Sequence, residues 1–282
     1  MINRHHVGVA RRSQNRGPTA GQWPVETGTL AFVPDDDGRN GWTVVINGVP
    51  SSHLDLDDPQ RLDFEYMRWT GDLLDVLAPP GEPLRVTHIG GAGCTLPRYV
   101  AATRPASTQI VLERDPVILD AVRDAFGFRS GRRLRLRAGD GRDGLAELAD
   151  GSQDVLIRDA FSGALVPGHL RTRGFLREVH RVIGDGVYVA NLADTPPMAQ
   201  ARTEAATALA QFRHVALAAE PAQFKGRRYG NVVLFASAKP LPLEALGRRL
   251  ASGAVRARLL GPGEVRALSA GHRPEEDPAP AS

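Results

Sequence analysis

Between residues 85 and 219, short apolar segments alternate with longer segments whose apolar residues recur at helical spacing. The apolar segments are, in chain order, RVTHI, TQIVLE, RLRLRAG, QDVLIRD and GVYVANL. Strands that alternate with helices predict a parallel sheet with helices packed on both faces. Two later apolar segments, HVALAA and NVVLFASA, have a shorter connection, so we expect them to be antiparallel to each other. The chain is therefore predicted to have an α/β, doubly wound fold.

A different pattern precedes this alternation. Residues 21–80 contain the strand-like stretches TGTLAFVP and WTVVINGVP, a turn at Asn47-Gly48, and the helical stretch PQRLDFEYMRWTGDLLDVL. They predict a small β-ribbon followed by a helix. Residues 81–270 are predicted to form the doubly wound α/β domain. The polar segments 1–20 and 271–282 show no periodicity, so we expect them to be disordered.

Composition excludes several classes of protein. The 282 residues carry a net charge of +3, but aromatic residues make up only 6% and do not alternate with the arginines, which argues against a nucleic-acid partner. No apolar run is long enough to span a bilayer or to act as a signal peptide, which predicts a cytoplasmic protein without a membrane partner. With one cysteine and no His/Cys cluster at metal-site spacing, neither a disulfide nor a metal is expected.

The stretch VTHIGGAGCTLPRYV places a glycine loop between the first strand and helix of the alternation. A dinucleotide fingerprint, G-x-G-x-x-G, would be met by Gly91 and Gly93, but its third position is Leu96. Because the third glycine serves close packing beside a pyrophosphate, its absence favours a ligand without one, such as S-adenosylmethionine or a relative. A tight turn with no ligand is the alternative.

Acidic residues follow the next three strands. Glu113 can accept hydrogen bonds from both hydroxyls of a ribose, whereas Asp115 is expected to cap the helix that starts at Pro116. Asp140 either accepts from an adenine amino group or caps the short helix after it. Asp159 follows a buried strand, and its carboxylate can hold or deprotonate an amine. In a doubly wound sheet these strand ends share one cleft.

Several stretches together resemble the spermidine synthase family, the polyamine aminopropyltransferases, and look closest to its divergent bacterial members. They are VINGVPSSHLDLDD, FEYMRWTGDLL, HIGGAG, VLERDP, AGDGRDGL and RDAFSGALVPGHLRTRGFLREVHRVIGDGVYVANL. These are similar to the family's L-D-G-x-x-Q stretch, Y-H-E helix, glycine loop, V-E-I-D-P and G-D-G-x-x-F-L motifs, and catalytic-aspartate segment. The resemblance extends over residues 28–238.

The resemblance implies a small N-terminal β domain followed by a Rossmann-like, class I methyltransferase domain with a mainly parallel, seven-stranded sheet. It implies that decarboxylated S-adenosylmethionine or S-adenosylmethionine binds as co-substrate, without a metal, to Gly90, Gly91, Gly93, Glu113, Asp140 and Gly141. Glu113 would hold the ribose and Asp140 the adenine. Asp159 would be the catalytic base or anchor for the attacking amine, and Tyr66 and Ser162 would line the acceptor site.

The chain departs from the family on the acceptor side. The family's glycine loop, G-G-G-D-G, has an aspartate that is missing here, and its β-ribbon glutamine is replaced at or near Ser51. Met67 and Arg68 stand where the family has His and Glu, and Ser162 stands for the second acid after Asp159. Polyamine binding needs paired carboxylates, and Arg68 would repel a diamine if it faced the channel.

Three functions are compatible with these residues. The first is aminopropyl transfer to a small-molecule amine, in polyamine biosynthesis. The second is methyl transfer from S-adenosylmethionine to an unknown acceptor, which the missing aspartate favours. The third is a pseudo-enzyme that binds an adenosyl ligand without turnover. The exposed edge of the β-ribbon also predicts pairing with a second copy, and hence a homodimer.

Overall fold

The computed structural model describes residues 18–91, 93–163 and 165–278. Two sheets carry these residues, one small and antiparallel, the other large and mainly parallel. Residues 1–17 and 279–282 lie outside the described residues. They make up most of the N-terminal segment and the last part of the C-terminal segment that are predicted to be disordered.

The small sheet is an antiparallel meander of four strands rather than the predicted two-stranded ribbon. Its strands are β1 (Gly21–Val25), β2 (Gly28–Pro34), β3 (Gly41–Ile46) and β4 (Val49–Asp55), in that order. The predicted turn at Asn47-Gly48 joins β3 to β4, and both residues have positive φ, 52° and 76°, as a type I′ hairpin turn requires. β1 escaped prediction because almost every residue in it is exposed and Pro24 interrupts the pattern.

The large sheet has eight strands, one more than predicted. They are β5 (Arg85–Ile89), β6 (Thr108–Glu113), β7 (Leu134–Ala138), β8 (Val155–Arg158), β9 (Val187–Asp194), β10 (His214–Ala219), β11 (Gly230–Ser237) and β12 (Arg258–Leu260). The order is β12-β10-β11-β9-β8-β5-β6-β7. The five strands from β9 to β7 are parallel, and the β10–β11 pair is antiparallel as predicted. The additional strand, β12, has only three residues, too few to show a period in the sequence.

Helices cover both faces of the large sheet. They are α1 (Glu65–Leu77), α2 (Thr95–Thr103), α3 (Pro116–Phe126), α4 (Gly141–Ala146), α5 (Arg173–Ile183), α6 (Ala199–Leu209), α7 (Pro221–Phe224), α8 (Leu243–Ser252) and α9 (Pro262–Leu268). A short 3-10 helix, Gly168–Leu170, precedes α5. Among the helices of the described residues, none is long and apolar enough to cross a membrane.

The first helix packs with the large sheet. Tyr66, Trp69 and Leu73 of α1 share a buried apolar cluster with Val86 of β5 and Phe235 of β11. By packing, α1 is therefore part of the large layer, which differs from the predicted division that places it with the small sheet in residues 21–80.

The small sheet covers a different part of the large domain. Leu30, Phe32 and Val44 pack against Val111 of β6 and Ile118 of α3. This contact holds the small sheet over the carboxyl ends of the parallel strands, which is the edge where a doubly wound sheet binds its ligands.

The C-terminal segment differs from its predicted disorder. Residues 271–278 follow the surface of α4 and α5, where Asp277 forms an ion pair of 2.6 Å with Arg142 and accepts a hydrogen bond of 2.7 Å from Thr172. The Thr207 hydroxyl accepts a hydrogen bond from the backbone N–H of Glu275. Polar contacts hold this segment in place. Because the segment has no hydrophobic periodicity, its order could not be predicted from the sequence.

Candidate active site

A cavity of about 700 Å³ lies at the carboxyl ends of β5, β6, β8 and β9, under the β3–β4 turn and the first turn of α1. This volume is within the usual range for small-molecule sites. The predicted site residues on its wall are Tyr66, Gly90, Gly91, Glu113, Asp140, Gly141, Asp159 and Ser162. The fold thus brings residues from both sheets to one space.

The glycine loop is shaped by close contacts on two sides. Gly90 has a φ of +84°, and a side chain there would collide with the backbone carbonyl of Asp159. The Gly91 N–H donates to Glu113 Oε2 at 2.9 Å. Gly93 is not on the cavity wall, and its N–H donates to Ser52 Oγ at 3.1 Å. A Cβ added to it would lie 2.6 Å from the Ser52 Cβ. Close packing on β4 gives a structural reason for this glycine, and its predicted role in co-substrate binding stays a prediction.

The two acids after β6 have separate positions. Asp115 caps α3 as predicted, since its Oδ1 accepts from the N–H groups of Val117 and Ile118 at 3.0 and 3.3 Å. Its other oxygen accepts from Thr27 of the small sheet. Glu113 lines the cavity, and its Oε1 accepts from the Asp115 N–H at 3.1 Å. Of the two acids, Glu113 is the one placed to meet a ligand.

Asp140 meets one of its two sequence interpretations, the helix cap, and its predicted contact with an adenine stays a prediction. It caps α4 by accepting from the Arg142 N–H at 2.8 Å, and it also lines the cavity. Its second oxygen lies 2.7 Å from Nε2 of His169. Burial raises the pKa of Asp140, but the hydrogen bonds from His169 and from backbone N–H groups outweigh it, and the net pKa is lowered. Gly141, next in the chain, lets α4 approach the side chain of Ile89.

Asp159 is held by side chains from two other elements. Tyr66 of α1 donates its hydroxyl to Oδ2 at 3.0 Å, and Asn191 of β9 donates its amide to Oδ1 at 3.0 Å. Burial raises the pKa of Asp159, and the hydrogen bonds from Asn191 and Tyr66, with the charge of Arg158, offset this only in part. The result is a carboxylate that is fixed in position and takes up a proton more readily than an exposed aspartate.

Arg68 does not face the cavity. Its guanidinium donates to the carbonyl oxygen of Leu62 at 2.7 and 3.2 Å, and the residue is absent from the cavity wall. The repulsion of a diamine considered from the sequence therefore does not arise. Met67 is buried on the wall, and Ser162 lies in an exposed turn at its rim.

Glu65 and Asn231 are among the polar residues of the wall that were not predicted from the sequence. Glu65, directly before Tyr66, accepts a hydrogen bond of 2.8 Å from the amide of Asn231 on β11. The only available signal for Glu65 was its place beside Tyr66, and none marked Asn231. Tyr229, on the segment between β10 and β11, also lines the cavity and is 56% exposed.

Comparison with known proteins supports the fold and the family. The chain matches no model of a known protein family. A polyamine aminopropyltransferase of Vibrio vulnificus is 36% identical over 143 residues, which are 49% of this chain and 47% of that protein. The chain thus aligns with about half the length of this curated relative.

Solved structures extend the likeness over the whole fold. The crystal structure of a probable spermidine synthase from Corynebacterium glutamicum is 34% identical, with a TM-score of 0.87 over 94% of this chain and 99% of that one. A spermidine synthase in complex with the transition state analogue AdoDATO shares the fold at 17% identity, with a TM-score of 0.59 over 88% of this chain and 82% of that one. The predicted fold, a Rossmann-like class I methyltransferase domain with a small N-terminal β domain, is confirmed. So is the resemblance in sequence: the chain belongs to the spermidine synthase-like family.

Proposed function

We propose that this protein is an aminopropyltransferase, which moves the aminopropyl group of decarboxylated S-adenosylmethionine to a small-molecule amine in polyamine biosynthesis. The observation that carries the proposal is the position of Asp159. Its half-buried carboxylate lies on the wall of the same cavity as Glu113 and Asp140, and Tyr66 and Asn191 hold it there.

The adenosyl part of the co-substrate is assigned to Glu113 and Asp140. A carboxylate oxygen has two lone pairs, so Glu113 can keep its backbone hydrogen bonds and still accept from two ribose hydroxyls. Asp140, whose lowered pKa keeps it ionised, accepts from the adenine amino group. Gly90, Gly91 and Gly141 leave room for the nucleoside between these acids.

The acceptor amine binds beside Asp159. The lone pair of its nitrogen attacks the aminopropyl carbon attached to the sulfonium, a C–N bond forms, and the C–S bond breaks with its electron pair moving to sulfur. Neutral methylthioadenosine leaves, and the proton lost by nitrogen passes to Asp159. Asn191 Oδ1 is buried without a hydrogen-bond partner in the described residues, so it can accept a second N–H and orient the amine.

The test is to incubate the purified protein with decarboxylated S-adenosylmethionine and putrescine and to measure methylthioadenosine and the aminopropylated amine by mass spectrometry. We expect the two products in equal amounts. If a panel of linear diamines and monoamines gives neither product, the proposal fails.

Methyl transfer is the second candidate, because residues 90–94 contain no acidic side chain to repel the carboxylate of S-adenosylmethionine. Binding of the decarboxylated and the intact co-substrate, measured side by side by calorimetry, separates the two functions. Tighter binding of the decarboxylated form supports aminopropyl transfer. Tighter binding of the intact form would overturn aminopropyl transfer and favour methyl transfer.

We also propose that the protein acts as a cytoplasmic homodimer. β1 is an edge strand of the small sheet, and Trp23 on it is 37% exposed, which supports pairing of this edge with a second copy. Light scattering tests it: we expect twice the mass of the 30.3 kDa chain.

A further inference from the structure

The carboxylates on the cavity wall divide into two groups. Glu113 and Asp140 belong to the adenosyl end. Two basic residues of the wall lie near them: Arg114 follows Glu113 in the chain, and His169 contacts Asp140. Asp159 belongs to the acceptor end. Glu65 is a fourth carboxylate of the wall, to which the proposed reaction gives no role.

Glu65 lies at the acceptor end, next to Tyr66 in the chain and on the wall of the same cavity as Asp159. The pKa of Tyr66 is raised well above its ordinary value, first by burial, then by the charge of Asp159 and the hydrogen bond to it, and also by the charge of Glu65. Asn231, which donates to Glu65, lies on β11 opposite Ala193 of β9, two positions beyond Asn191. The two acids are therefore near enough to act on one hydroxyl.

The charge of Glu65 is not balanced by a neighbouring base. Within the described part of the chain, its hydrogen-bond partner is the neutral amide of Asn231, and no basic side chain forms an ion pair with it. Arg68, the nearest arginine along the chain, is committed to the carbonyl of Leu62. A half-buried carboxylate in this situation favours a cation from the ligand.

An acid in the first turn of a helix is also stabilised by the helix dipole, and that alone would explain a surface glutamate at the start of α1. It does not explain why the residue lines the cavity and its carboxylate accepts a hydrogen bond from Asn231 of β11, a strand that is separated from β5 by β9 and β8 in the sheet.

We propose that Glu65 is a specificity-determining residue that binds the second ammonium group of the acceptor. With Asp159 at the attacking nitrogen and Glu65 at the other end, the cavity selects a linear diamine over a monoamine. Glu65 would take the place of the second carboxylate that is a serine, Ser162, in the loop after β8. This inference rests on the proposed aminopropyl transfer for its kinetic consequence, but not for its prediction about binding.

The test compares putrescine with n-butylamine, which has the same carbon chain and one ammonium group, as acceptors for the wild type and for Glu65→Gln. Glutamine keeps the oxygen that accepts from Asn231 and removes the charge. We expect kcat/KM for putrescine to fall about tenfold, mainly through KM, and that for n-butylamine to change less than about twofold. The control is Asp63→Asn, which removes one charge two residues earlier, on an exposed side chain paired with Arg61 outside the cavity. This control should leave kcat/KM unchanged for both putrescine and n-butylamine.

Equal losses for both amines, or no loss for either, would overturn the role of Glu65 while leaving aminopropyl transfer in place. Calorimetric titration of putrescine and n-butylamine into protein saturated with methylthioadenosine gives the same comparison without turnover. If the wild type transfers nothing but prefers putrescine in this titration, and Glu65→Gln loses that preference, the proposed reaction fails and the diamine site stands. If Glu65→Gln melts below the assay temperature, Glu65→Asp replaces it, with a smaller loss expected for putrescine alone.

Discussion

The two ends of the cavity hold their carboxylates in different ways. At the adenosyl end, Glu113 and Asp140 accept hydrogen bonds from backbone N–H groups, and the donors of the Asp140 cap lie within three residues of it. One side chain, His169, also contacts Asp140 from 29 residues away. At the acceptor end, Asp159 and Glu65 accept from side chains of other elements, which are 32 to 166 residues away in sequence.

The pKa directions follow this difference. Backbone donors and His169 outweigh burial at Asp140 and lower its pKa, whereas burial dominates at Asp159 and raises its pKa. The same chemical group is thus a permanent anion at one end, suited to accept hydrogen bonds from a ligand, and a proton acceptor at the other. The comparison predicts that substitutions at the two ends affect different measured quantities.

Asp159→Asn should have the largest effect. It removes the proton acceptor but keeps the shape of the side chain, so we expect kcat to fall by about 10²–10⁴-fold and binding of methylthioadenosine to stay within about twofold. Product formation and calorimetry measure the two quantities. Asp120→Asn, the same change on the exposed surface of α3, is the control and should leave both kcat and methylthioadenosine binding unchanged. Activity of Asp159→Asn near that of the wild type would remove the base from the mechanism.

Glu113→Gln should act at the opposite end and on binding. The loss of charge-assisted hydrogen bonds to ribose is expected to weaken methylthioadenosine binding by about 10–100-fold, which corresponds to about 1.5–3 kcal/mol. Glu178→Gln on α5, whose partner is Arg181 on the same helix, is the matched control. Calorimetry decides, and a loss of turnover with unchanged binding would break the division between the two ends.

The difference between the ends also explains what could be predicted from sequence. Glu113 and Asp140 were found because strand ends and helix caps are local patterns, and Asp159 because it follows a buried strand. Asn231 was missed because its contact with Glu65 joins β11 to α1, a pairing that no local pattern encodes. Gly93 fits a ligand-loop motif, yet its contact is with Ser52, 41 positions earlier in the chain. The parallel order of β5 to β9 followed from the alternation, whereas β12 and the anchoring of the tail by Asp277 depend on contacts between distant segments.

Tyr66→Phe should sharpen the acceptor side of the comparison through pH dependence. The active form of Asp159 is the carboxylate, so kcat/KM falls as the pH decreases through its raised pKa. The Tyr66 hydroxyl donates to that carboxylate and favours its charged form, so removal of the hydroxyl should raise the pKa further and shift the acidic limb of the profile to higher pH. We expect kcat/KM to fall about tenfold at neutral pH, in line with the loss of one hydrogen bond to a charged group.

The control for this shift is Tyr99→Phe. Tyr99 donates to Asp75 at 2.8 Å, outside the cavity, so its pH profile should match that of the wild type. An acidic limb that moves to lower pH in Tyr66→Phe, or does not move, would contradict the proposed contact between Tyr66 and the catalytic carboxylate.

Asp277→Asn should have the smallest effect. It tests whether the adenosyl end depends on the contact of the C-terminal segment with Arg142. The hydrogen bond from Arg142 is the main cause that lowers the pKa of Asp277 below its ordinary value of 3.8. The folded state therefore gains stability from the charged form, fully above that ordinary value, and loses it as the pH falls through the lowered pKa. We expect the variant to lose ~0.5–1 kcal/mol of unfolding free energy at neutral pH and the difference to vanish in acid, by urea titration.

Glu276→Gln, whose pair with Arg173 is more exposed, should lose less stability and is the control. Because His169 and backbone N–H groups hold Asp140, methylthioadenosine binding should change less than about twofold in Asp277→Asn. A larger change would mean that the tail, through Arg142, sets the position of the Asp140 cap, and that the adenosyl end is not locally built.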